Sequence, residues 1–285
     1  MATKIPTALI QMSVAACKET NLRNARDLIC KAAAKIKASA LGQEKTPLIV
    51  LPECFNSPYG TQYFEEYAEE IPGKTTEMLS SVAKDEGVYL IGGSMPEKRS
   101  EKLYNTATAY NPRGEMIMKY SKIHLFDIDI PGKIRFKESE VLTAGDELGM
   151  FEMSNGVKIG MGICYDMRFP ELSILLAKAS CDFLVFPGAF NMTTGPLHWE
   201  LLQKGRAIDN QLYVAACSPA RDETATYIAW GHSSVVDPWG EVIAKAAAAE
   251  EIIYAEIDLE KKQAVRQQIP VQTQKRDDVY KVTGA

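Results

Sequence analysis

Three short runs of this 285-residue chain hold the residue types that nucleophilic catalysis needs. Cys164 stands in Val157-Lys-Ile-Gly-Met-Gly-Ile-Cys-Tyr-Asp-Met-Arg-Phe-Pro-Glu171, where a strand-like apolar stretch ends and a helix-like stretch opens a few residues later. A side chain at such a junction stands free of the strand ladder and close to backbone N–H groups that lack partners. A free thiol has a pKa of roughly 8.5 and attacks as the thiolate, so it needs a base or a nearby cation. Glu53 directly follows the apolar run Pro47-Leu-Ile-Val-Leu51 and Pro52. That position points it into a partly buried pocket, where a carboxylate's pKa rises and it becomes a stronger proton acceptor. Lys122, in Lys119-Tyr-Ser-Lys-Ile-His-Leu125, is a cation that would favour the thiolate and could sit beside a developing oxyanion. Each of the three also has an ordinary reading, as core thiol, turn glutamate or solvated lysine. All three fall near the ends of apparent strands, and that coincidence favours chemistry.

Other residues carry less signal. Glu138, in Arg135-Phe-Lys-Glu-Ser139, is a second carboxylate that pattern alone does not separate from a surface charge. Arg168, four residues after Cys164, can fork onto a substrate carboxylate or pair with Asp166 or Glu171. His124, His198 and His232 leave a Cys–His hydrolase open, although no Cys–His signature surrounds Cys164. Gly160-x-Gly162 lacks the third glycine of a dinucleotide loop and lies inside a strand. Tyr59, Tyr63 and Phe64 suit a pocket wall or lid as well as a core.

The elements that must position these residues follow from periodicity. Ile5–Met12, Pro47–Leu51, Val88–Gly92, Phe183–Phe186, Gln211–Cys217 and Ile252–Ile257 read as strands, several of them apolar throughout and so buried on both faces. Asn21 to about Ala40, Lys74–Glu86, Glu171–Lys178 and Leu197–Asp209 read as helices, the first with Leu22, Ala25, Ile29, Ala32 and Ile36 on one face. Asn111-Pro-Arg-Gly114 and Asp237-Pro-Trp-Gly240 mark two hairpins. The halves resemble each other: Leu48–Phe55 matches Phe183–Phe190 in pattern, and the two hairpins match as well. This predicts a pseudo-two-fold pair of sheets with helices outside, in one domain spanning residues 1–285. In the internal alignment Glu53 faces Gly188 and Lys122 faces Ala248, so the charged pair occurs once, as a functional pair should. Ile123–Leu148 reads as a long irregular segment of the kind that carries function or is disordered, and the chain from Lys261 reads as a polar tail without a packing face.

Composition narrows the class. The apolar fraction is 46% and the charged fraction 24%, ordinary for a globular protein able to bury its own core. Net charge is −5 with no basic block, which argues against nucleic acid as a partner. The six cysteines form no C-x-x-C pair, so neither zinc nor a disulfide scaffold is expected, nor any cofactor. No apolar run reaches membrane-spanning length and Met1-Ala-Thr-Lys-Ile-Pro lacks a signal-peptide core, so the expected address is cytoplasmic, with the mitochondrion as a second.

Glu53 in Leu-Pro-Glu, Lys122 in Tyr-Ser-Lys-Ile-His-Leu and Cys164 in Gly-Ile-Cys-Tyr-Asp-Met-Arg-Phe together resemble the Glu-Lys-Cys triad of the nitrilase (carbon–nitrogen hydrolase) superfamily, in order and across about Thr7 to Tyr280. The runs Pro52–Gly60, Lys122–Gly132, Pro187–Pro196 and Ser218–Asp222 resemble its omega-amidase branch, whereas Phe169-Pro-Glu-Leu172 resembles the neighbouring deaminated-glutathione amidase branch. Ala38–Thr46 is longer than the family pattern. The resemblance implies a four-layer α-β-β-α sandwich that dimerises through its outer helices. It implies that Glu53 is the base, Cys164 the nucleophile that forms a thioester, and Lys122 with the backbone N–H of Tyr165 the oxyanion holders. It also implies that Glu138 supports the pocket's charge, that Arg168 and Thr194 anchor a far carboxylate, and that Phe190 walls the pocket. The substrate class implied is a small dicarboxylate monoamide, such as 2-oxoglutaramate or succinamate. Hydrolysis of deaminated glutathione or another carbon–nitrogen bond is the competing enzyme reading, and an inactive scaffold or a thiol redox sensor the non-enzyme ones.

Overall fold

The helices sit where apolar spacing and capping place them. The computed structural model describes residues 4–284. In chain order the elements are β1 (Lys4–Gln11), α1 (Lys18–Lys37), α2 (Ala40–Glu44), β2 (Leu48–Val50), α3 (Thr61–Tyr67), α4 (Lys74–Glu86), β3 (Tyr89–Arg99), β4 (Lys102–Tyr110), β5 (Met116–Ser121), β6 (Asp127–Ile130) and β7 (Ile134–Lys137). They continue as β8 (Gly149–Glu152), β9 (Lys158–Met161), α5 (Pro170–Lys178), β10 (Phe183–Pro187), α6 (Gly195–Asn210), β11 (Tyr213–Cys217), β12 (Ser234–Val236), β13 (Val242–Lys245), β14 (Glu251–Asp258) and α7 (Leu259–Gln268). Helix α1 buries Leu22, Ala25, Leu28, Ile29, Ala32, Ala33 and Ile36, a stripe at helical spacing. Gly87, left-handed at φ 60°, ends α4, and Pro170 in the first turn opens α5.

Two six-stranded sheets carry the same plan. In the first, β1, β2 and β3 are parallel, β4 and β5 continue antiparallel, and β14 pairs antiparallel with the free side of β1. In the second, β9, β10 and β11 are parallel, β12 and β13 continue antiparallel, and β8 pairs with the free side of β9. Ile5, Leu9, Leu48, Val50 and Ile91 meet Ile159, Met161, Phe183 and Val185 in the core between the sheets. Ala8, Ile10, Ile49, Leu51 and Leu90 point the other way, onto α1 and α4. Helices α5 and α6 cover the second sheet through Leu172, Leu176, Trp199 and Ala207. The layers therefore run α-β-β-α with a pseudo-two-fold, as expected. Strands that lie inside such a sandwich are buried on both faces, which is why they read as unbroken apolar runs.

The structure corrects three readings and gives form to a fourth segment. The strand expected to stop at Gly92 continues to Arg99; its ladder shifts between Ile91 and Ser94. There the glycine pair makes a bulge rather than an end: Gly93 has φ 62°, and a Cβ on it would lie 2.1 Å from the Pro52 carbonyl oxygen. Ile123–Leu148 holds a separate hairpin, β6–β7, whose short strands are half exposed and therefore weakly patterned. The extension at Ala38–Thr46 carries the short helix α2, capped by the Ser39 side chain. The tail does pack: α7, capped by Asp258, buries Val265 and Lys262, and Arg266 donates to the carbonyls of Asn210 and Gln211 at 3.1 Å. Much of that face is charged side chains lying over the surface, which no hydrophobic period reveals.

Candidate active site

Strand direction gathers the site. β2, β5, β9 and β10 end on the same edge of the sandwich, where the chain leaves the ladder and its side chains can face one another across the two sheets. Glu53 follows β2, Lys122 follows β5, Cys164 follows β9, and Gly188-Ala189-Phe190 follows β10.

Glu53, Lys122 and Glu138 form one ion cluster, each 0% exposed. Lys122 Nζ lies 3.1 Å from Glu53 Oε1, 3.0 Å from Glu138 Oε1 and 2.9 Å from Glu138 Oε2. Buried charges must be paired and hydrogen-bonded, and the remaining lone pairs here are satisfied. Asn105 donates to Glu53 Oε1 at 2.8 Å, and the Ala189 N–H donates to Oε2 at 2.7 Å. Tyr59 donates to Glu138 Oε1 at 2.8 Å, and the Phe126 N–H donates to Oε2 at 2.7 Å. The Tyr227 hydroxyl holds the Ala189 carbonyl at 2.6 Å, bracing the residue that braces Glu53. Glu138 is thus no surface charge; it is the second carboxylate of the cluster, at the foot of the β6–β7 hairpin.

Cys164 opens a 3₁₀ turn, Cys164–Arg168, with φ 48°. A left-handed non-glycine residue costs about 1–2 kcal/mol and persists only when its surroundings hold it. Asp166 is the chief holder: its carboxylate accepts from the Ile163 N–H at 2.8 Å, the Tyr120 hydroxyl at 2.7 Å, the His124 N–H at 2.9 Å and the His124 ring at 2.8 Å. Arg206, reaching from α6, donates to the carbonyls of Met167 and Arg168 at 2.9 and 3.2 Å. Gly188 leaves room for the turn; a Cβ on it would lie 3.1 Å from Cys164 Cα. The glycine that faces Glu53 in the internal alignment is therefore the site's close-approach residue. The glycines of Gly160-x-Gly162 are packed against Leu184 and Phe186, a structural use and not a phosphate loop.

The electrostatics assign protons. Burial raises the Glu53 pKa, Lys122 opposes that and Glu138 adds to it. Burial works against the Lys122 charge, but Glu138, Glu53 and Cys164 outweigh it and hold the ammonium well above its usual range. Burial drives the Cys164 thiol well up, with Glu53 adding and Lys122 opposing. Lys122 acts in the expected direction, favouring the thiolate, but burial and two carboxylates outweigh one ammonium and hold the thiol's pKa well above its usual value. The thiol faces a hydrogen-bonded carboxylate of raised pKa, the arrangement for taking its proton at the moment of attack. A Cys–His pair is absent among the described residues: His124 is committed to Asp166 and stacks on Phe169 with ring centroids 3.6 Å apart.

The cleft over Cys164 is lined by Phe126, Tyr165, Arg168, Phe190, Thr194 and Tyr227 and holds no water-sized space. A cavity of about 260 Å³ adjoins it through Ala189 and Tyr227, lined by Glu53, Tyr59 and Tyr63 among others. All eight residues named from sequence therefore meet at one edge. The pairing of Arg168 with Asp166 or Glu171 does not occur; Asp166 is fully engaged, and Arg168 lies over the Phe190 and Tyr165 rings. Asn105, Tyr227 and Arg206 were not singled out from sequence; each is an isolated polar residue in an ordinary strand, loop or helix pattern, and only its distant partner gives it a role.

The family model for carbon-nitrogen hydrolases matches residues 7–267. The chain is 56% identical to omega-amidase NIT2 of Danio rerio, over 99% of this chain and 98% of that relative. It is 54% identical to omega-amidase NIT2 of Homo sapiens, over 98% of both. Among solved structures it superposes on Saccharomyces cerevisiae Nit3, a member of branch 10 of the nitrilase superfamily, with a TM-score of 0.85 and 42% identity, over 96% of this chain and 97% of that one.

Proposed function

The chain belongs to the carbon–nitrogen hydrolase family, and from that premise we propose that it is an omega-amidase, hydrolysing the terminal amide of small dicarboxylate monoamides such as 2-oxoglutaramate and succinamate to the dicarboxylate and ammonia. The observation that carries this reading is the buried Glu53–Lys122–Glu138 cluster beside the Cys164 thiol. Glu53 takes the thiol proton as Sγ attacks the amide carbon. The developing oxyanion is held by Lys122 and the Tyr165 N–H, a donor in the first turn of a helical segment. Glu53 returns the proton to the departing ammonia, leaving a thioester on Cys164. It then takes a proton from water, which attacks the thioester and frees the acid and the thiol. Glu138 touches no reacting atom in this scheme; it balances and orients Lys122.

At the far end of the cleft, Arg168 offers a planar fork and Thr194 a hydroxyl to the second carboxylate, with Phe190 as wall. Leu197, Leu201 and Ile208 form an exposed apolar stripe along α6, which supports a homodimer through the outer helices. The shared core of the two sheets supports a single domain. No described helix is long and apolar enough to cross a membrane, and free thiols are compatible with a cytoplasmic address, with the mitochondrion as a second.

The test is ammonia release from 2-oxoglutaramate and succinamate by the purified protein, with Cys164→Ala as control and deaminated glutathione assayed in parallel. Cys164-dependent release from the two monoamides is expected. Turnover of deaminated glutathione alone would move the substrate to the neighbouring branch, and no turnover by a folded protein would refute the amidase reading of the site.

A further inference from the structure

Arg168 has one polar side-chain partner among the described residues. Its Nη1 lies 3.1 Å from Nδ1 of His198. A guanidinium has donors and no acceptor, so Arg168 donates, Nδ1 accepts, and the ring proton sits on Nε2. His198 lies in the first turn of α6, where its N–H donates to the Thr194 carbonyl at 2.8 Å. One helical turn thus carries both the Thr194 hydroxyl and the imidazole that holds Arg168. The guanidinium itself lies 4.8 Å from the Phe190 ring centroid and 5.5 Å from that of Tyr165, so rings limit its tilt and His198 limits its rotation in plane.

We infer that His198 is a positioning residue: as a neutral acceptor it orients the Arg168 fork for the substrate's far carboxylate, and its protonation releases that fork. The inference rests on the reading of Arg168 as anchor. Protonated, His198 carries hydrogens on both nitrogens, cannot accept, and faces the guanidinium with a like charge. Burial and the Arg168 charge both hold its pKa below the ordinary histidine value. Among the described residues, no acid stands ready to stabilise the imidazolium. Asp166, on the nucleophile turn, is engaged by Tyr120, Ile163 and His124. Glu171, exposed on α5, acts on Arg206, and Glu200 on α6 pairs with Lys204 and Lys245. Arg206 itself is spent on two carbonyls and on Asp209. Protonation therefore breaks a contact without offering a new one.

The experiment is steady-state kinetics on succinamate from about pH 5 to about pH 8, for the full chain and for His198→Asn, His198→Ala and Arg168→Lys, with butyramide as a neutral substrate of the same length. In the unaltered protein KM for succinamate should rise about tenfold as pH falls, the worth of one weakened charge-assisted hydrogen bond. His198→Ala should show the raised KM at every pH. His198→Asn, whose Oδ1 takes the place of Nδ1, should recover most of that loss and lack the pH-dependent part. Protonation of the substrate's own carboxylate is common to all variants and cancels in the comparison. Superposable KM profiles for the unaltered protein and His198→Asn would overturn the inference. So would an equal loss for His198→Ala on butyramide, since that marks a merely structural role. If Arg168→Lys binds succinamate like the unaltered protein, the anchor reading falls first; if Arg168→Lys raises KM and the His198 variants do not, only the present inference falls.

Discussion

Replacing Lys122 with methionine keeps most of the side chain's bulk and removes its charge, leaving Glu53 and Glu138 in a pocket where neither is exposed. In the intact protein the ammonium lies 3.1 Å from one carboxylate and 2.9 Å from the other. After the change Glu53 retains Asn105 and the Ala189 N–H, and Glu138 retains Tyr59 and the Phe126 N–H, but no cation remains between them. Breaking a buried pair by removing one partner costs about 3–5 kcal/mol. For a chain of this size about 1 kcal/mol moves Tm by roughly 2–4 °C, so a loss of about 10 °C is expected near neutral pH. The pH dependence has a definite sign. With the lysine gone, at least one carboxylate has a folded-state pKa raised above its unfolded value of roughly 4.3, so the folded state binds more protons than the unfolded one. The deficit relative to the intact protein should therefore be small below about pH 4 and grow as pH rises through that range towards the raised folded pKa. Adding Glu138→Gln to Lys122→Met removes one of the two opposed charges and should recover about half of the loss. Thermal melts at pH 4 and pH 7, roughly the ends of that window, read the effect. A Tm within about 1 °C of the intact protein at neutral pH, or a deficit that does not change with pH, would refute the reading of these three residues as one charge-balanced cluster.

Glu53→Gln preserves size but exchanges one acceptor oxygen for an NH2 donor and cannot accept the thiol proton; kcat should fall by about 10²–10⁴-fold with the fold intact by circular dichroism. The acid limb of kcat/KM should lie above the ordinary glutamate value of 4.5, because burial raises the Glu53 pKa and the base is lost as pH falls through that raised value; a limb at or below 4.5 would contradict this. Gly188→Ala would press a methyl against Cys164 Cα at 3.1 Å, displacing the nucleophile by a few tenths of an ångström and lowering kcat about tenfold with little change in Tm. Gly160→Ala meets Leu184 Cδ2 at 2.6 Å inside the core, away from the thiol, so it should cost about 1–3 kcal/mol of stability and spare kcat.

The chain by itself determined the layers and marked Glu53, Lys122 and Cys164 as the candidate reacting residues. Strands shielded on both faces must be apolar throughout, so β2, β10 and β11 are visible as runs, and a duplicated half is visible as a repeated pattern. Glu53 and Cys164 stand just after such runs, at the ends of parallel strands, and Lys122 follows the half-exposed antiparallel β5; strand ends are where side chains escape the ladder. The supporting residues depend on long-range closure. Asn105 meets Glu53 across 52 residues, Ala189 meets it across 136, and Tyr59 meets Glu138 across 79. Local pattern carries no record of such contacts, because a polar residue at the same position in a surface loop looks identical. The protonation of Cys164 lies beyond sequence for the same reason: it depends on how completely the sandwich excludes water and on a second carboxylate, Glu138, brought in by a hairpin whose half-exposed strands show little periodicity. Residue types near strand ends decide which chemistry is available; burial and distance, which only the tertiary structure supplies, decide where each proton rests and which way Arg168 points.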